Sequence, residues 1–522
     1  MKRRHFLAGM AALAAPSVVQ AQNSRVLRYA SSAGVVLLDP LATTIFPTFI
    51  LGLQIFESLY SVDEQLQPRP QMAAGHAIED GGKRWVITLR DGLRFHDGEP
   101  VLARDCVASI NRWMKRDTSG QTLALRLDAL EAPDDTTVVF RLKKPFPQLP
   151  YILGKTMPYL SAIMPARLAT ADPNQPITEL VGSGPYRFIA NEFSANSLAV
   201  LARFEAYQPR DEPPSGTSGG RIAKLDRVEW RVIPDASTQI NALLTGEIDW
   251  IAGVPPDLLS AVRGHPHIVV EVIDRFGSYP VLRPNHVSGP TANAGVRRAI
   301  MATLDGKEII AAAIGDAPGM VTAPIGVFAP GSPSENSAGM EHLGPKPLIE
   351  VRVMLKQAGY ANERLVLLHQ SDIATQHAML QVIAKRLVEA GFNVDDQIMD
   401  LATVVKRRNS REAPDKGGWS LQLGVGSCVD SLSPLLNIGL RTGAAAWIGW
   451  PDDPVMEDLR ERWLDSADAA EQKQLAGRIQ ETALSEVLFM PLGRYQASSA
   501  WRSSLSGILK MNMPIMWNVS KS

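Results

Sequence analysis

From Arg25 onward, short runs of alternating apolar and polar residues are interleaved with longer stretches whose apolar positions recur at helical spacing. Trp85–Leu89 alternates as a strand, and further strands are read at Val26–Ala30, Thr137–Leu142, Val228–Ile233, Leu365–His369 and Asn393–Met399, with a final strand near Val487–Leu492. Helical spacing predicts Thr48–Leu59, where Ile50, Leu51, Leu53, Ile55, Phe56 and Leu59 carry the pattern, and Ala103–Lys115, with Val107, Ile110, Trp113 and Met114 on one side. Further helices are predicted at Ala236–Leu244, Glu350–Gln357, Thr375–Ala390, Pro454–Leu464 and Ala469–Glu486. Gly246, Gly359 and Gly391 close three of them, because glycine takes the left-handed turn that ends a helix without a side-chain penalty. Residues 208–220, dense in Pro, Gly and charge, read as an exposed excursion, and Gly315–Leu348 reads as a second irregular zone. The strand–helix–strand rhythm after Glu350 predicts an α/β lobe.

At 522 residues the chain has room for two or three packed domains, and 45% apolar with 20% charged residues suits a globular core. Lys plus Arg (53) nearly balance Asp plus Glu (54), so no basic surface advertises nucleic acid. The N-terminus departs from this average. Lys2, Arg3 and Arg4 precede an apolar stretch, Phe6–Val19, which Gly9 and Pro16 interrupt; Val19-Gln20-Ala21 then offers a cleavage site, so residues 1–21 read as a signal peptide. The arginine pair with Phe6-Leu7 behind it matches a twin-arginine signal, and a general secretory signal with a basic start fits equally. Either would export the protein to the periplasm without a lipid-anchor cysteine. Cys106 and Cys428 are far apart and read as unpaired, small buried hydrophobes. No HExxH or P-loop lysine motif is present, and the nine histidines are scattered, so a catalytic reading finds no support.

The run Lys83-Arg84-Trp85-Val86-Ile87-Thr88-Leu89-Arg90-Asp91-Gly92-Leu93-Arg94-Phe95-His96-Asp97-Gly98-Glu99-Pro100, followed by Ala103-Arg104-Asp105, is more specific than composition. It resembles the signature of the family 5 extracellular solute-binding proteins, which include dipeptide-, oligopeptide- and nickel-binding components of ABC importers. Further matches follow in order: Val181-Gly182-Ser183-Gly184-Pro185-Tyr186, Ala242-Leu243-Leu244-Thr245-Gly246-Glu247-Ile248-Asp249, Arg283-Pro284-Asn285 with Val296-Arg297-Arg298-Ala299-Ile300, and Leu355-Lys356-Gln357-Ala358-Gly359-Tyr360. Read physically, His96 is a turn histidine satisfied locally, the 182–186 segment a tight crossing between domains, and Asp249 a residue that leads into a strand.

The resemblance implies a type II periplasmic-binding-protein clamp of two α/β lobes with an extra domain inserted in the first. The expected lobe I comprises 25–59, 181–269 and 488–522, the inserted domain 60–180, and lobe II 270–487. It further implies capture of a peptide or peptide-like, amine-bearing solute by a monomer, delivery to the transmembrane subunits of an ABC permease, and no cofactor. A periplasmic sensor or chaperone partner using the same fold is the alternative. Peptide binders of the family hold the solute's amine with an aspartate in a Gly/Trp-rich stretch, and in 419–434 Asp430 is the sole acid. Asp430 is therefore the expected amine anchor, with Ser427 and Cys428 beside it; its competing role is a helix N-cap, shared with Ser431. Gln370 stands where dipeptide-binding members carry a carboxylate-binding arginine, which puts a free dipeptide in doubt. Ser32, Ala33 and Gly34 form a loop that either lets backbone approach a ligand or simply turns. Tyr279 either lies at the lobe junction or packs in the core, and Trp447 and Trp450 either stack on a ligand or are structural.

Overall fold

Leu27 and Tyr29 are buried while Arg28 between them is not fully covered, the alternation that places Val26–Ser31 in mid-sheet. In the computed structural model, which describes residues 25–43, 46–157, 159–315 and 319–522, this strand runs parallel to Arg227–Val232 on one side and Trp250–Val254 on the other. Tyr29 packs between Trp230 and Trp250, at ring separations of 4.4 and 5.6 Å. The complete first sheet has seven strands, in the order Ile268–Glu271, Ser498–Arg502, Trp250–Val254, Val26–Ser31, Arg227–Val232, Leu198–Arg203, Tyr186–Phe188. Asp249 ties this sheet to the C-terminus: its carboxylate accepts the Arg28 N–H at 2.8 Å and Lys521 Nζ at 2.9 Å. The predicted leader lies outside the described residues.

Residues 60–180 build a separate four-stranded antiparallel sheet, Ala73–Glu79, Arg84–Leu89, Thr137–Leu142 and Leu127–Glu131, in the spatial order in which they are given. Helix Ala103–Met114 packs beside it, with Cys106, Ile110 and Trp113 fully buried. Where this segment rejoins the first sheet the backbone passes very close to helix Phe46–Ile55. A Cβ on Gly182 would lie 2.1 Å from the Ile55 carbonyl oxygen, and His96 Nε2 pairs with the Gly184 carbonyl at 3.0 Å. His96 is thus consumed by structure, its pKa lowered to about 4 by burial.

The second sheet also has seven strands: Val321–Thr322, Arg494–Tyr495, Ser278–Pro284, Leu421–Ser427, Arg364–Gln370 and Asn393–Met399 in line, with Met490–Pro491 also on Ser278–Pro284. The chain crosses between the two seven-stranded sheets at 272–277 and returns at 496–497. The crossings are bound to each other: Gln496 Nε2 donates to the Asp274 and Arg275 carbonyls at 3.2 and 2.8 Å, and Asp274 Oδ1 accepts the Phe276 and Gly277 N–H groups.

Four expectations need correction. The first helix ends at Ile55 rather than Leu59, because Glu57 bridges Ile163 and Tyr60–Val62 pairs with Pro68–Pro70. The 208–220 excursion is exposed only in its first half; residues 216–221 fold back and are buried, with Arg221 stacked over Trp517 at 4.8 Å. The strand near Val487–Leu492 is only Met490–Pro491, and it is not final, since Ser498–Arg502 follows. Finally, the boundary at 488 differs from sheet membership: Leu282 pairs with Met490 and Ser278 with Tyr495, so the chain stays in the second sheet to Tyr495.

Gly277 sits in the first crossing at φ +77°, and a Cβ there would lie 2.3 Å from the Tyr495 carbonyl. Gly277→Ala should therefore cost at least about 1–2 kcal/mol from backbone handedness alone. A lowered urea midpoint relative to wild type is the expected result.

Candidate ligand-binding site

Strands Ser278–Pro284 and Leu421–Ser427 pair antiparallel, with Tyr279 opposite Gly426, Val281 opposite Gly424 and Arg283 opposite Gln422. Residues two apart share a face, as do directly opposed partners, so these six occupy one face. The intervening pair, Leu282 and Leu423, is fully buried in the sheet's other side. On the open face, Gly424 and Gly426 present no side chain. The vacated volume is a cavity of about 330 Å³, walled by Tyr279, Val281, Arg283, Arg408, Asp430 and Trp447 among others.

Asp430 reaches this cavity because a different residue caps the local turn. Ser427 is the N-cap of the short helix Cys428–Ser431, its hydroxyl accepting the Val429 N–H at 3.2 Å, so the capping role considered for Asp430 or Ser431 falls elsewhere. Burial pushes the Asp430 carboxyl up to about 6, against the opposing pull of Lys155 and a hydrogen bond from the Ser427 N–H. Lys155 itself is committed: its ammonium donates to Asp117 Oδ2 at 2.6 Å and to the Met157 carbonyl at 3.0 Å. Asp430 has no salt bridge among the described residues. Tyr151 of the 60–180 segment and Cys428 also feel its charge.

The cavity's other charged groups were not foreseen. Arg283 lies over the Trp447 ring at 4.5 Å and the Phe489 ring at 5.6 Å, and Arg408 approaches the same Trp447 ring at 5.4 Å. Burial draws Arg283 down to about 10, and Arg408's charge adds to the effect; Arg408 is lowered by burial as well.

Of the expected site residues, Asp430, Tyr279, Ser427 and Trp447 are brought together at the cavity wall. Tyr279 is packed, being 6% exposed with its hydroxyl donating to the Gly326 carbonyl at 3.2 Å. The others stand apart. Gln370 is fully buried behind the wall, donating to Gln376 and to the Leu423 carbonyl. Cys428 is buried, its thiol pushed up to about 12 by desolvation. Trp450 packs on Trp419 at 6.0 Å and under Arg411 at 4.8 Å, away from the cavity. Ser32, Ala33 and Gly34 belong to the first sheet's loop. There Ser31 Oγ closes a local turn with Ala33, and Asn196 covers Gly34 so closely that a Cβ would lie 2.1 Å from its side chain.

The raised Asp430 pKa carries a stability consequence. Its folded-state value lies above the ordinary 3.8, so the folded protein holds this proton more tightly than the unfolded chain, and ionising it costs stability as pH rises from about 4 through about 6. Unliganded Asp430→Asn should therefore melt on the order of 1–3 °C above wild type at neutral pH. The difference should vanish below pH 4, and paired thermal scans at the two pH values check both arms.

Comparison with known proteins places this architecture. Residues 67–425 match the family described as bacterial extracellular solute-binding proteins, family 5 Middle. A probable peptide ABC transporter periplasmic-binding protein, y4tO, of Sinorhizobium fredii is 35% identical, covering 100% of this chain and 99% of its own. The glutathione-binding protein GsiB of Escherichia coli K12 is 24% identical over 90% of this chain and 89% of its own. Among solved structures, the binding protein AgaA of A. tumefaciens R10, in complex with agropinic acid, superposes with a TM-score of 0.80 at 20% identity, covering 95% of this chain and 99% of that one. The mixed α/β fold is thus that of family 5 periplasmic binding proteins over nearly the whole length. The chain belongs to the family 5 extracellular solute-binding proteins, non-enzymatic components of peptide-type ABC importers.

Proposed function

We propose that this protein captures a peptide or peptide-like, amine-bearing solute in the cavity between Ser278–Pro284 and 424–447, in the periplasm, and delivers it to the transmembrane subunits of an ABC permease. The observation that carries the reading is Asp430: a carboxylate aimed into a cavity without a salt-bridge partner, its pKa raised by burial. An unpaired buried charge is unfavourable alone and becomes favourable when a ligand ammonium pairs with it, which is how a binding site discriminates for an amine. The kinship with a probable peptide-transporter binding protein over the full chain supports the same reading.

We further propose that the two seven-stranded sheets are the cores of two lobes, that 60–180 is a unit inserted in the first, and that the paired crossings at 272–277 and 496–497 are the hinge. Closing about this hinge would bring the first lobe's 32–34 loop toward the cavity; binding then favours the shut form because only there does solute touch both lobes. No helix among the described residues is long and apolar enough to cross a membrane, consistent with a carrier that meets its permease at the surface.

Mass spectrometry of the protein isolated gently without denaturant should find a co-purified amine-bearing solute at one per chain. Thermal-shift screening of di-, tri- and tetrapeptides should then reproduce the stabilisation. Asp430→Ala should weaken binding by roughly a hundredfold, and unchanged affinity would remove the amine-anchor role. Gly424→Leu is a complementary test: a Cβ at Gly424 meets nothing nearer than 3.9 Å, so the variant should fold while its side chain occupies the cavity and abolishes the ligand-induced shift. Identical small-angle scattering profiles with and without saturating solute would count against the hinge.

A further inference from the structure

Arg283 and Arg408 are the two cations of the cavity wall, and Asp430 is its one anion. Neither arginine meets a carboxylate among the described residues; both pack on the single Trp447 ring, and Arg408 Nε is buried without a hydrogen-bond partner. Gln422, opposite Arg283 across the strand pair, is 2% exposed and its Oε1 is also unpaired. Two guanidiniums sharing one aromatic ring repel each other, and a cation–π contact of about 0.5–2 kcal/mol does not neutralise either charge. Other buried arginines of the described residues find acceptors: Arg112 reaches Asp39 at 2.9 Å, Arg460 reaches Glu457 at 2.8 Å, and Arg297, which meets no carboxylate, donates to the Thr291, Ala292 and Glu486 carbonyls. At the cavity wall no such acceptor holds Arg283 or Arg408, which leaves both open to an anion from outside the chain.

The two kinds of charge stand at opposite ends. Asp430 lies by Gly426, which faces Tyr279, whereas Arg283 is four residues further along the same strand, about 13 Å away by strand rise. Gln370, the position at which an arginine was expected, faces Gln376 and a backbone carbonyl instead and adds no charge. We propose that Arg283 and Arg408, both against Trp447, hold the acidic end of the solute, so that the preferred ligand is an anionic, amine-bearing compound such as a short peptide with an acidic C-terminal residue. The planar guanidinium suits a carboxylate because its N–H groups pair with both oxygens at once. One ammonium and two carboxylates on the ligand complement the wall's two cations and one anion. The assignment rests on the solute-capture reading above and names the class of solute.

Calorimetric titration with Ala-Glu and its neutral isostere Ala-Gln tests it. Wild type should bind Ala-Glu at least about tenfold more tightly, with the gap narrowing as salt is raised. Arg283→Met and Arg408→Met, which keep an apolar stem over Trp447, should each bring the ratio to within about twofold, with Ala-Glu losing more affinity than Ala-Gln. Unliganded melting of both variants verifies that they fold. Equal affinities on wild type, or a preference that survives both substitutions, would overturn the assignment. Equal affinities that both depend on Asp430 would leave peptide capture standing and remove only the acidic preference. Conversely, if no peptide binds but glutarate stabilises wild type and not Arg283→Met, the anion site holds and the amine-anchor reading falls.

Discussion

The register between Ser278–Pro284 and Leu421–Ser427 is the constraint on which the rest of the structure depends. Because side chains alternate along a strand, pairing Leu282 with Leu423 buries both in the sheet's core and commits Tyr279, Val281, Arg283, Gln422, Gly424 and Gly426 to the other face. A slip by one residue would exchange the faces, sending leucines into the cavity and an arginine into the core. The register is held from both sides, by Met490 and Tyr495 on one and by Leu367 and Leu368 on the other. The glycines then turn a sheet face into a container. Elsewhere, the volume opposite a Val or Tyr would be filled by a neighbouring side chain; here it stays open.

The charges of this cavity are a liability to the empty protein. Asp430 is raised toward neutrality by burial, and Arg283 and Arg408 are both lowered, so each is held in the state its surroundings favour least. Proteins tolerate such strain where function needs it, and the cost is recovered only when a partner of opposite sign arrives. Lys155 and Asp117, more deeply buried, are instead bound to each other at 2.6 Å, as a structural charge pair is.

Much of the scaffold was legible in sequence. Thr137–Leu142 and Asn393–Met399 form with the bounds read from the sequence, and Gly246 and Gly391 end their helices in the left-handed conformation expected of them. Asp430 was legible as the sole acid of its stretch, and the cavity lies where that residue pointed. The two strands that build the cavity were not foreseen, for a physical reason: Pro280 and Pro284 in one, and Gly424 and Gly426 in the other, read as breakers because local propensity cannot register a face kept empty on purpose. Arg283 could have been found by extending the alternation from Tyr279 by four residues. Arg408 could not. It follows the short helix Leu401–Arg407, and only the tertiary fold brings it to Trp447.

The 60–180 segment, which contributes no strand to either large sheet, nevertheless walls a groove that adjoins this cavity. Helix Thr118–Arg126 faces the 438–446 loop across an open groove, and Ile438 and Trp447 wall both that groove and the cavity. Arg126 at the helix end is anchored to Glu461 at 2.6 Å and to Asp465, both on helix Pro454–Asp465. Lys155, immediately after helix Leu149–Gly154, lowers the Asp430 pKa from the same side. Trp447 is therefore shared by the guanidinium pair and the groove, and a solute extending beyond the cavity would leave it past this ring. If the solute is held here as proposed, the segment would bear on how long a chain can be accommodated, while the glycines and charges of the second sheet would set its chemistry.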